Sequence, residues 1–306
     1  MLRYTVKRFL SMLLTLFLVA TVTFFLMHSI PGQPFEVTRE TPESVKIALE
    51  AKYGLDKPLF EQYLIYMGNL LKGDFGVSMK YKGQTVLGTV TSGMPVSAIV
   101  GFGGVLIGCI IGAVLGCVAA LKNKGFVDYF VIVLAILGVS VPNFVFGSLI
   151  QRLFAVEWKI FPIQGWKGAE YAVLPIMAAA FTNIAHYARM LRSSMLDTMG
   201  QDYIHTAKSK GLNQREIVTK HMLRNSFLPL VTSLGPMCAG VLTGNFVIEK
   251  IFNIPGIGQS MILAIQNSDY TMIMGLTIIF SFISIICYFL VDIVYGLVDP
   301  RIRIAK

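Results

Sequence analysis

Four histidines, four cysteines and seventeen carboxylates are the side chains of this 306-residue chain most able to make or break bonds, and their spacing argues against it. His28, His186, His205 and His221 are scattered, with no His-Glu-x-x-His pair to hold zinc on one helix face. No Gly-x-Ser-x-Gly turn presents a serine nucleophile. No Gly-Lys dipeptide occurs, which excludes a Walker A phosphate loop and ATP hydrolysis by that route. Cys109, Cys117, Cys238 and Cys287 all fall in apolar runs, without Cys-x-x-Cys or mixed Cys/His spacing. They read as membrane-buried thiols rather than a disulfide or metal framework. The expectation is a non-catalytic chain with no metal site and no bound cofactor.

Other spacings point to packing and docking. Gly104, Gly108, Gly112 and Gly116 recur every four residues, a slowly drifting ridge that lets helices meet closely. Packing is the expected role, a second membrane subunit could use the same surface, and a place on a transport path is the alternative. The segment 189–226 carries Lys208, Lys210, Arg215 and Lys220. Asp202 is placed to cap a short helix over 203–210, with Gly211 as its left-handed stop. Asn213 followed by Glu216 resembles the opening of a second helix, with Asn in place of the usual Ser/Thr. Small Ala207 and Gly211 would admit another surface close to the backbone. A basic hairpin that only fixes topology would not need two capped helices, so a docking element is the better reading.

The elements that carry these residues belong to a membrane. Apolar residues make up 55% of the chain and charged residues 14%, against about 25% charged in soluble domains, and the mean hydropathy is +0.67. Six runs reach the roughly 20 apolar residues needed to cross a bilayer: 9–30, 96–121, 129–150, 173–190, 227–248 and 271–298. All are expected to be helices, because lipid offers no partner for an open strand edge. Arg3, Lys7 and Arg8 precede the first run as in a signal peptide, but the run is too long and lacks a cleavage site, so it reads as an anchor. Six spans put both termini on one side. That side holds 15 Lys/Arg against 6 Asp/Glu and the other 11 of each, which assigns the termini and 189–226 to the cytoplasm. The net charge of +9 is therefore a topology signal and not a nucleic-acid surface. Trp158 and Trp166 fall in an external segment, as interfacial aromatics. The long external loop 31–95 contains Phe60, Tyr63, Leu64, Met67, Leu70 and Leu71 at helical spacing, an amphipathic helix for the membrane surface or the bundle, stopped by Gly73-Asp74-Phe75-Gly76. Ionisable groups are nearly absent from the runs. Asp292, Arg189 and Glu249 lie near their ends, where snorkelling or pairing suffices. Neither a midway carboxylate nor a broken helix stands out, which disfavours an ion-coupled carrier.

The segment Asp202-Tyr203-Ile204-His205-Thr206-Ala207-Lys208-Ser209-Lys210-Gly211-Leu212, followed by Lys220-His221-Met222-Leu223-Arg224-Asn225 and Leu228-Pro229, resembles the cytoplasmic signature of bacterial ABC-importer permeases, and more narrowly their peptide branch. The likeness runs the length of the chain: Pro31-Gly32, Tyr53-Gly54-Leu55-Asp56-Lys57-Pro58, Gly73-Asp74-Phe75-Gly76, Ala188-Arg189-Met190-Leu191-Arg192-Ser193-Ser194-Met195, Glu249-Lys250-Ile251-Phe252-Asn253-Ile254-Pro255-Gly256-Ile257-Gly258, Asp269-Tyr270 and Asp299-Pro300-Arg301. It is similar above all to the B membrane subunit of oligopeptide importers. Two departures from the broad pattern exist: His205 takes the place of the Glu that opens its Glu-Ala-Ala start, and Pro229 comes late.

This resemblance implies the all-α integral-membrane fold of type I ABC-importer permeases, with six transmembrane helices, in the bacterial inner membrane. It divides the chain into 1–30 (amino-terminal segment and first helix), 31–95 (external loop), 96–298 (a five-helix core containing loop 189–226) and a cytoplasmic tail 299–306. Tyr203, Ile204, His205, Thr206, Ala207, Lys208 and Gly211 would form the coupling helix against a cytoplasmic ATPase. The implied partners are a second permease subunit, two ABC ATPase subunits that bind the ATP and Mg, an extracytoplasmic peptide-binding protein and lipid. Pro255, Gly256 and Gly258 would close the path outside, meet the binding protein, or form a plain structural turn. Oligopeptide import is the expected function. The alternatives are a same-branch permease for dipeptides, nickel or another small solute and, more remotely, a secondary transporter.

Overall fold

The computed structural model describes residues 2–29, 57–241 and 244–298. The resemblances at Pro31-Gly32, at 53–56 and at Asp299-Pro300-Arg301, the tail 299–306 and the Asp292 side chain lie outside the described residues. Among those described, all regular structure is helical apart from one isolated antiparallel bridge between Val77 and Thr85.

The chain forms two compact units, divided at Val96/Ser97 and Ile254/Pro255. In the first, α1 (Leu2–Ser29) packs along α13 (Tyr270–Val298), and α2 (Leu59–Leu71) lies against α1. The start of α3 (Val86–Leu121) and α12 (Ile257–Gln266) complete it. Its core gathers Val86, Val90, Ile257, Met272, Leu276 and Phe280. The amphipathic helix of the external loop takes the bundle option: Tyr63 bonds Thr21 at 2.8 Å and stacks on Phe25, and Tyr66 lies beside Phe24. Its opposite face leaves Phe60, Leu64 and Leu71 exposed. Gly73, at φ +78°, ends the helix as the sequence predicts, its N–H donating to Leu70 O and that of Asp74 to Asn69 O.

The second unit contains the rest of α3, α4 (Phe126–Ser140), α5 (Asn143–Ile150) with its π-helical extension Gln151–Glu157, α6 (Glu170–Met199), α7 (Asp202–Ser209), α8 (Gln214–Glu216), a π turn (Ile217–Met222), α9 (Leu223–Ser226), α10 (Leu228–Val241) and α11 (Phe246–Ile251). Helix α6 is its axis, with α4, α5, α10 and α11 packed on it.

Among the described residues, three helical stretches are long and apolar enough to cross a membrane: Thr5–Ser29, Val86–Leu121 and Tyr270–Val291. The expected third span, 129–150, is not one straight helix. Helix α4 stops at Ser140 and the chain turns by 104° into Asn143–Glu157, which makes a fourth span only if the bent pair counts as one. Pro142 supplies the reason: it has no N–H to give back, and it pushes Val141 to the extended φ −88°, ψ 119°. The expected fifth span, 227–248, is likewise divided between α10 and α11. Broken helices are therefore present where the sequence suggested none. The surface explains the hydropathy: Leu10, Leu14, Phe17 and Leu26 on α1 and Leu106, Ile110 and Val114 on α3 are exposed, a pattern that water would penalise and lipid accepts.

Candidate functional site

The hairpin 202–226 is built by two stop-and-start signals. The N–H of Gly211 donates to Lys208 O at 2.9 Å and that of Leu212 to Ala207 O at 3.3 Å, a Schellman stop, with Gly211 at φ +77°. Leu212 packs in the same apolar cluster as Ala207, the contact that accompanies this motif. Asn213 Oδ1 then accepts from the Glu216 N–H at 2.9 Å and opens the second helical run. The start of α7 differs from expectation by one position. Asp202 is its first helical residue and Gln201 the cap, whose carbonyl takes the Ile204 N–H at 3.0 Å. Asp202 still sits where a carboxylate complements the helix dipole.

Two faces result. Ile204 and Ala207 point inward with Ile217 and Met222, joining Tyr187, Leu191 and Met195 of α6 and Ala120 of α3 in one core cluster. Of the seven residues expected to meet an ATPase, these two are thus closed off by the chain's own core. Tyr203, His205, Thr206, Lys208 and Gly211 stay exposed, beside exposed Lys210, Arg215, Lys220 and Arg224. The two arms are tied by Asn225 Nδ2 donating to Tyr203 Oη at 2.9 Å. The end of α9 is tied to α6 by Ser226 and Thr198, whose hydroxyls lie 3.0 Å apart.

Above the hairpin, Arg192 of α6 is paired with Asp128 of α4. One guanidinium N–H donates to Oδ2 at 2.8 Å and a second to Oδ1. The Lys124 backbone N–H donates to the same carboxylate at 2.9 Å. Asp128 is 1% exposed, so its charge is held by these three donors in place of water. Arg189, one turn back, donates to Ala135 O at 2.9 Å. The motif 188–195 therefore fastens α6 to α4 with its arginines and roots the hairpin with Leu191 and Met195.

The glycine ridge lies against α6. A Cβ at Gly104 would come within 2.6 Å of Ala179 Cβ, at Gly112 within 2.7 Å of Ile184 O and at Gly116 within 2.5 Å of Ala188 O, and at Gly108 it would overlap Asn183. This surface is filled by the chain's own helix, which leaves no room on it for a second subunit.

The turn after α11 is also closely packed. Gly256 and Gly258 are buried, and a Cβ at Gly93 would meet the Gly256–Ile257 peptide at 3.0 Å. Of the three residues considered for an outer gate, only Pro255 is exposed. Asp269, which precedes α13, accepts from the Ser78 hydroxyl and from the Met79 and Met272 N–H groups, at 3.1 and 3.3 Å for the latter two. It thereby pins the segment after Gly73-Asp74-Phe75-Gly76 to the start of the last helix.

Two polar features of the membrane helices are not apparent from ionisable groups at mid-span. Glu249 does not snorkel: it is 0% exposed and takes hydrogen bonds from the Ser97 hydroxyl at 2.7 Å and the Asn245 backbone N–H at 2.9 Å. In the same unit a cavity of about 200 Å³ is lined by Asn143, Thr182, Asn183 and Asn245 among small and apolar residues. All four polar residues fall inside the predicted apolar runs; carboxamides there were the available signal.

The family of binding-protein-dependent transport system inner membrane components matches residues 112–304, and the amino-terminal component of the same family matches residues 1–97. Among curated relatives, the dipeptide transport system permease protein of Bacillus subtilis (strain 168) is 47% identical over 306 residues, covering 100% of this chain and 99% of the relative. The dipeptide transport system permease protein of Lactococcus lactis subsp. cremoris is 41% identical, covering 99% and 100%. The oligopeptide transport system permease protein of Haemophilus influenzae is 40% identical with the same coverage. With a hairpin rooted in its helical core and full-length likeness to these permeases, the chain belongs to the inner-membrane permease family of binding-protein-dependent ABC importers, in its peptide branch.

Proposed function

We propose that the chain is a membrane-spanning permease subunit of an ATP-driven importer, forming with a second permease subunit the path along which peptides cross. The observation that carries this is the hairpin: a basic, polar outer face on α7 whose inner face is fixed to α6 through Ile204 and Ala207. A partner that pushes on Tyr203, His205, Thr206 or Lys208 acts on α6 through the core cluster that both share.

In this reading the chain crosses the membrane six times with both termini in the cytoplasm, the bent α4–α5 pair, α6 and the α10–α11 pair supplying the third to fifth crossings. Two ABC ATPase subunits bind ATP and Mg and receive the hairpins of the two permeases. An extracytoplasmic binding protein delivers the peptide. ATP binding biases a two-state equilibrium between inward- and outward-open arrangements, and this chain catalyses no chemistry of its own. The cargo is a peptide. Relatives named for dipeptides and for oligopeptides both match over the full length, so dipeptides stand beside the oligopeptides expected from the sequence.

The test is Gly211→Leu in the reconstituted importer. A branched side chain at φ +77° is strained, and it reshapes the bend between the two arms. The variant is expected to insert and assemble while ATP hydrolysis continues without peptide uptake. Uptake at the wild-type ratio to hydrolysis would refute the coupling role.

A further inference from the structure

We propose that the cleft formed by Asn143, Thr182, Asn183 and Asn245 binds the backbone of a peptide in transit, reading amide groups and ignoring side chains; this rests on the importer reading above. The four residues come from α5, α6 and the segment entering α11, elements far apart in sequence, and they converge on one cavity of about 200 Å³. Each is half-buried, so each is within reach of a molecule in the cleft and still shielded from bulk solvent. Polar side chains on apolar helices are costly unless their hydrogen bonds are made. Here they are made in part. Thr182 donates its hydroxyl to Asn143 Oδ1, and Asn183 donates one Nδ2 proton to Ala179 O at 3.0 Å. The Asn183 carboxamide oxygen and the Asn245 carboxamide make no hydrogen bond among the described residues.

The chemistry of these groups selects the ligand class. A carboxamide carries one acceptor oxygen and two donor protons, the complement of a peptide's own N–H and C=O. Among the described residues no Asp, Glu, Lys or Arg lines the cleft, so neither a cation nor an anion finds a counter-charge from them there. Gly240, with no atom within 4 Å of where a Cβ would stand, and Gly244 form part of the remaining wall, and small residues admit a backbone closely. The Asn245 side is held in place by Glu249, which takes the Asn245 N–H and is itself fixed by Ser97. Pockets that enclose a whole drug-sized ligand run to about 300–1,000 Å³. A cavity of about 200 Å³ takes in part of a peptide at a time, which suits cargo of varied length.

The test uses the assembled importer with its binding protein in proteoliposomes. An alanine tripeptide carrying a benzophenone is irradiated during ATP-driven turnover, and its adducts are mapped by mass spectrometry on the wild-type protein. Adducts on 101–105, 179–183, 240–241 or 244–245 are expected. Uptake with adducts confined to other surfaces, or a cleft reached only by side chains of the second permease subunit, overturns the cleft assignment and leaves the importer reading intact. Absence of ATP-driven uptake overturns the importer reading itself. Asn183→Ala supplies the second arm. The lost hydrogen bond should lower uptake of alanine-, glutamate- and phenylalanine-containing tripeptides by one common factor, about five- to tenfold. Unchanged uptake, or factors that differ among the three, contradicts backbone recognition.

Discussion

At Gly211 no atom lies within 4 Å of where a Cβ would stand, so the whole cost of substitution there is the left-handed backbone. That cost is about 1–2 kcal/mol for an ordinary L-residue and smaller for Asn. Gly211→Asn should therefore keep the thermal midpoint of the purified protein nearly unchanged and Gly211→Val should lower it, a ranking that differential scanning fluorimetry reads directly. The Asp128–Arg192 pair has a different energetic logic. Asp128 is 1% exposed, so replacing Arg192 leaves a buried carboxylate with backbone help alone. Arg192→Met should destabilise by roughly 3 kcal/mol, and Asp128→Asn added to it should restore much of the loss. A double-mutant cycle that finds the two changes additive would show that the pair is not coupled. The residues of the hairpin were legible because Gly211 and Asn213 are types with one strong local use. Its inward face is only partly so: the resemblance places Ile204 and Ala207 among the contact residues, and the core cluster with α6 shows which side of the helix is buried.

Among the elements, the glycine ridge on α3 makes the sharpest contrast. Gly108 has Asn183 of α6 where its Cβ would be, whereas Gly68 on α2 has nothing within 4 Å. Gly108→Ala should reduce the yield of folded protein, since the overlap is with a helix fixed on its other side by Asp128 and Ala135. Gly68→Ala should be neutral or stabilising by up to about 1 kcal/mol, through helix propensity alone. Fluorescence-detected size-exclusion profiles of the two variants make the comparison. The spacing of four revealed the ridge. Its partner was not in the sequence, because any helix with small or yielding side chains could have filled it. The bend after Ser140 was written in Pro142, but the apolar run continues across it, and hydropathy alone read one span where the backbone makes two helices.

For the molecule as a whole, the proposed topology sets Lys82 and Ser209 on opposite sides of the membrane, both exposed. With the four native cysteines replaced, Lys82→Cys should react with an impermeant maleimide from the outside of intact cells, and Ser209→Cys only after permeabilisation. Labelling of both from outside would reverse the orientation of the hairpin and remove the docking role. The sequence by itself determined the solvent, the helical class, the family and the turns of the hairpin, because hydropathy and turn residues act over a few neighbouring positions. Only the tertiary structure decided that the glycine ridge is closed by α6, that Glu249 is held by Ser97, and that Asn143, Thr182, Asn183 and Asn245 share one cleft. Those facts join residues tens to hundreds of positions apart, and packing brings such residues together where no local rule connects them.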